Sequence, residues 1–141
     1  MMVPVQASTT VNAGAIGTIS GPQDLDLLGE IVYAINFSAN DPALTVNGVV
    51  FTPDTAAPAG ATLVGPQNAT PWQTKPEFGA SASDDALERV FEDIRWANNA
   101  AGERLEANLA VTAGETYKLQ ILINGNHGAD DRRWDIEVEG D

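Results

Sequence analysis

The sequence predicts a mainly β protein with antiparallel pairing and one short α-helix. Three observations predict it. Apolar and polar residues alternate at period two through 105–111, 117–123 and 134–138. Only 83–97 carries the helical period of 3.6. Asn-Gly, Gly-Pro and proline-rich stretches punctuate the chain at the spacing of short strands.

The 141 residues suffice for one domain with its own core. Residues 1–20 read as an arm or strand, and 21–141 as a single β domain. Residues 1–7, MMVPVQA, lack the basic and apolar parts of a signal peptide, although Val5-Gln6-Ala7 fits the end of a trimmed one. Residues 8–20, STTVNAGAIGTIS, are rich in Thr, Val and Ile and can extend, while Gly14 and Gly17 weaken the strand. Gly21-Pro22 ends it.

Residues 31–37, IVYAINF, form an almost unbroken apolar run, which favours a strand buried on both faces. In LTVNGVVF, residues 44–51, Asn47-Gly48 tolerates positive φ at both turn positions and predicts a tight hairpin. A bulged strand is the alternative. Five prolines between 52 and 80 make that stretch loop-like, with Ala61–Val64 as a short edge strand.

Leu87, Val90, Phe91 and Ile94 then repeat on one helical stripe. Ser83, Asp84 and Asp85 offer a cap, and Asp85 with Glu88 has capping-box spacing. Asn98, Asn99 and Gly102 end the helix. The three alternating segments that follow read as an antiparallel meander with one face in water, and most of their acids fall on the outward face. Trp96 and Trp134 lie beside apolar stripes and read as core.

The charge narrows function. Twenty acidic residues against seven basic ones give a net charge of −13. Such a surface repels nucleic acid and anionic lipid, so no nucleic-acid partner and no membrane insertion are expected. No apolar run reaches the roughly 18 residues of a membrane span. Lys75 and Lys118 are the only lysines. Acidic, lysine-poor surfaces suit salty or extracellular settings, where screening shortens repulsion to about 8 Å. An ordinary soluble acidic domain is the alternative. The absence of cysteine excludes disulfides, zinc-thiolate sites and thiol nucleophiles.

No motif announces catalysis. His127 stands alone in a polar loop, NGNHGADD at 124–131, and no nucleophile elbow occurs. A hydrolase would need two carboxyls about 5–9 Å apart in a cleft, and twenty acids make chance pairs inevitable. No cofactor is implied with certainty. Calcium is the ion that the oxygen-rich clusters would suit, through Asp24 and Asp26 and through Asp130 and Asp131 beside Asn124 and Asn126. Turn chemistry is the favoured explanation of the second cluster.

Trp72, in the proline-rich loop, is the candidate aromatic platform for a sugar ring. Asn68, Gln73 and Glu77 around it could bind hydroxyls. The alternative is that Trp72 plugs the end of the fold.

Four segments together resemble malectin-like carbohydrate-binding domains of bacterial extracellular proteins: IVYAIN at 31–36, EDIRW at 92–96, YKLQILI at 117–123 and RRWDIEVEG at 132–140. Their order matches that family over roughly residues 25–140. The resemblance implies a β-sandwich of jelly-roll type, a cell-surface or extracellular bacterial setting, and a glycan partner. Tyr33 falls in the first matching segment and Asp135 in the last, and no sugar contact is carried over at either. Members of that family continue for several strands after the "veG" segment. The expectation is therefore that the arm, through Val11, Ile16 and Ile19, fills the gap within the chain or in a neighbouring copy. Two functions follow: a non-enzymatic glycan-binding module, or a self-assembling subunit of a surface filament or adhesin.

Overall fold

The computed structural model describes residues 12, 14–38, 41–66, 69–71, 75–97, 102–124, 136 and 138. Within them the protein is mainly β, with small sheets and a single α-helix. The strands are β1 (Ile35–Asn36), β2 (Leu44–Val46), β3 (Val49–Pro53), β4 (Ala61–Val64), β5 (Ala69–Pro71), β6 (Asp93–Arg95) and β7 (Glu106–Leu109). The helix, α1, is Ala82–Val90. Short 3-10 turns occupy Pro22–Asp24 and Asp54–Ala56.

The central sheet has the order β1-β3-β2. Strands β2 and β3 form the expected hairpin, with Leu44 opposite Phe51 and Val46 opposite Val49. Asn47 and Gly48 both have positive φ, 47° and 83°. That is the twist a two-residue primed turn needs, and glycine accepts it without a steric cost. Strand β1 joins β3 in parallel, with Ile35 opposite Thr52, so the sheet is mixed rather than purely antiparallel. Strand β4 pairs antiparallel with β7, and β5 with β6.

Helix α1 lies against β2. Its stripe supplies Leu87 and Phe91 to a core that also holds Leu25, Val46 and Phe51. Val46 and Leu87 are fully buried. Phe78 closes one side, its ring 6.0 Å from that of Phe91.

Several expectations are corrected. The helix starts one residue earlier and stops at Val90, well short of 97. Its cap is Ser81: the Ser81 hydroxyl accepts from Asp84 N–H, and the Asp84 carboxylate accepts from Ser81 N–H. Ser83 instead accepts from Asn47 N–H, tying the helix to the hairpin turn. Glu88 is not a capping-box partner; it is buried and accepts from Phe78 N–H at 2.8 Å. Beyond Phe91 the chain extends into β6, and Ile94 sits opposite Thr70 instead of on the helical stripe. Trp96 is exposed rather than core. Trp134 lies outside the described residues.

The run 31–37 supplies only the two strand residues of β1, and Ile31, Val32 and Phe37 are exposed. The meander is not formed among the described residues. Its first segment, β7, pairs with β4, and its third lies almost wholly outside the description. The second segment, 117–123, makes no backbone hydrogen bond to another backbone group among the described residues.

Candidate functional site

Three surface features are built around the central sheet. The first is a polar cluster beyond the carboxyl end of β1. Asn36 and Ser38 are buried there. Ser38 donates its hydroxyl to Asp93 at 2.8 Å and accepts from Asp41 N–H at 3.1 Å. Asn36 donates to the Asp41 carboxylate, which also pairs with Arg89. The 3-10 turn after β3 places Asp54 opposite Arg95 of β6. Their side chains are 2 % and 5 % exposed, and the guanidinium donates twice, at 2.7 and 3.0 Å.

The chemistry of this cluster is that of a brace. Each of the three carboxylates is held by a donor from another element, and no buried side-chain nitrogen or oxygen among the described residues lacks a partner. Asp41 also raises the already high pKa of Arg89, by hydrogen bond and by charge. Among the described residues, no three His, Asp or Glu side chains are grouped to hold a metal ion.

The second feature is an open cleft of about 350 Å³ over one end of the central sheet. Ile31, Val32, Tyr33, Val50 and Pro58 line it. Tyr33 turns its hydroxyl away to donate to Ala110 C=O at 2.7 Å. It crosses Gly60 on the way, where an added Cβ would stand 2.6 Å from the tyrosine oxygen. The cleft therefore has aliphatic side chains and a tyrosine in its wall, with polar and apolar atoms exposed in similar share.

The third feature is the extended segment 117–124. Its even-numbered residues face the body: Lys118 pairs with Asp26, Gln120 accepts from Asp26 N–H, Leu122 packs on the core and Asn124 donates to Phe91 C=O. Its odd-numbered residues, Tyr117, Leu119, Ile121 and Ile123, are exposed. Lys118 and Gln120 are themselves exposed, so only Leu122 and Asn124 are partly buried against the body. Asp26 contacts two of the segment's polar side chains at once.

The other expected site residues are scattered. Asn68, Trp72 and Gln73 lie outside the described residues, and Glu77 is exposed on the loop before α1. Asp24 accepts from the Ser20 hydroxyl and N–H at 2.6 and 2.7 Å. Asp26 is taken up by Lys118 and by Leu28 N–H. Asp130 and Asp131 lie outside the described residues, as does Val11. Ile16 is fully exposed, and Ile19 packs against the core. The sequence reading missed the Asp54–Arg95 pair and the Asn36–Ser38 cluster. Its one available signal was an arginine flanked by apolar residues in EDIRW.

No helix among the described residues is long and apolar enough to cross a membrane. Comparison of the chain with protein-family models, curated proteins and solved structures returns no match.

Proposed function

We propose that the protein is a non-enzymatic β-sandwich module of jelly-roll type that works by self-association at a bacterial cell surface. One observation carries this reading. Gly14–Thr18 of the arm are exposed and, among the described residues, hydrogen-bonded to no strand of their own chain. Exposed extended backbone pairs readily with another sheet edge, and natural proteins protect such edges unless they use them. The malectin-like pattern supports the sandwich and the setting. The paired carboxylates of the polar cluster support a structural role over a catalytic one.

The test is the mass and stability of the intact chain against a variant lacking residues 1–20, read by light scattering and chemical denaturation. The expected result is an assembly that the deletion reduces to monomer. Equal masses and equal stabilities overturn the reading.

The tyrosine-walled cleft favours a second reading, glycan binding, because sugar rings stack on aromatic faces while polar atoms beside them bind hydroxyls. A glycan array tests it together with Trp72→Ala. If Trp72 carries a sugar, its truncation costs about 1–2 kcal/mol or more of affinity. No binding removes this reading, and binding indifferent to Trp72 removes that residue from it.

A further inference from the structure

We infer that 117–123 is the surface that receives the arm of a second copy, and that two copies exchange arms reciprocally into a closed pair. This rests on the self-association reading and adds the receiving surface and the symmetry.

The receiving segment has the two properties strand addition requires. Among the described residues its backbone bonds to no other backbone group, and its odd-numbered side chains offer an apolar face to solvent. It is also tied to the body, by Leu122 packed on the core and Asn124 bonded to Phe91 C=O, with Lys118 and Gln120 making surface contacts to Asp26. Those ties lower the cost of ordering the segment when a strand is added.

Charge selects the occupant. Each copy carries −13, so two copies repel wherever acidic faces meet. The first 23 residues hold no Asp, Glu, Lys, Arg or His. The receiving segment holds one charge, Lys118, which Asp26 already neutralises. Contact between these two stretches brings no unpaired charge against another. The small residues Gly14, Ala15 and Gly17 also allow the arm's backbone to approach Tyr117, Leu119 and Ile121 closely.

Position selects the symmetry. Ile19 at the arm's root and Leu122 of the receiving segment pack on the same core. Donor and receiver are thus anchored on one core. A copy that inserts its arm here presents its own receiver to the first copy's arm, which is the condition for a two-fold contact. Seven residues span about 23 Å as a strand. A single crossing of that length is small, and two crossings bring the interface toward the roughly 1,200–2,000 Å² of a stable dimer.

The chain has no cysteine, so introduced thiols report cleanly. The experiment mixes Ile16→Cys and Leu119→Cys chains under oxidising conditions and separates the products by mass. The expected product is a disulfide-linked heterodimer, with light scattering of the intact chain giving two copies. Leu119→Glu, at a position 56 % exposed, should leave the fold intact by circular dichroism and abolish the pair.

A chain carrying both thiols that closes on itself as a monomer overturns the exchange in favour of docking within one chain. An assembly that persists in Leu119→Glu, and that the 1–20 deletion still dissolves, overturns the receiving surface and leaves the self-association reading standing. A chain that is monomeric with or without its arm removes both.

Discussion

Arg95 and Asp54 show how a few residues decide the arrangement of a small β protein. Two charges removed from water cost several kcal/mol each unless their geometry is good, and here both guanidinium donors meet both carboxylate oxygens. Breaking the pair leaves one buried charge alone. Arg95→Met is expected to cost about 3–5 kcal/mol in urea denaturation, and Asp54→Leu made with it should recover most of that loss. A second residue-scale expectation concerns acid. Ser20 holds the Asp24 carboxyl below its ordinary value of 3.8, Lys118 does the same for Asp26, and Ser81 for Asp84. A depressed folded pKa adds stability that is fully present above the unfolded value and is lost as pH falls through the folded one. Thermal midpoints should be level above about pH 5 and fall below about pH 4. In Asp26→Asn the fall should be shallower, and an unchanged slope would remove Asp26 from the account.

At the scale of elements, the hairpin is the part most exposed to a single change. Gly48 holds φ +83°, and a Cβ there meets no neighbouring atom, so the backbone conformation alone sets the cost. Gly48→Ala is expected to destabilise the protein by about 1–2 kcal/mol in chemical denaturation, with the secondary structure unchanged. This hairpin was legible from Asn-Gly between β-formers, and the edge strand Ala61–Val64 from prolines on either side. The start of the helix was legible only as a region, because Ser81, Ser83, Asp84 and Asp85 all offer cap chemistry and local sequence does not choose among them. Its end was not legible: Ile94 continues the helical stripe, yet Asp93 and Arg95 are drawn to Ser38 and Asp54, far along the chain. Period-two alternation at 117–123 says that two faces differ, but not what each face meets; Lys118 and Gln120 meet Asp26, about ninety residues earlier. The aromatic platform at Trp72 was read from composition in a loop, where no periodicity constrains placement.

For the molecule as a whole, the charge of −13 and the uncharged arm pull in opposite directions. Net charge keeps copies apart over the Debye length, about 30 Å at 0.01 M salt and about 8 Å at 0.15 M. A contact between an uncharged arm and an apolar strip is not itself weakened by salt, while the repulsion around it is. Self-association should therefore strengthen as salt rises, the reverse of an assembly held by ion pairs across the interface. Light scattering of the intact chain at fixed protein concentration, stepped from 0.01 to 0.5 M sodium chloride, checks this. A rising fraction of paired chains is expected, with the largest change below about 0.15 M, where the Debye length changes most. Exclusion of kosmotropic sulfate from apolar surface should extend the trend beyond what sodium chloride gives at equal ionic strength. Association that weakens with salt would mean that charged groups make the contact, and would move the interface from the 117–123 face to the acidic surfaces.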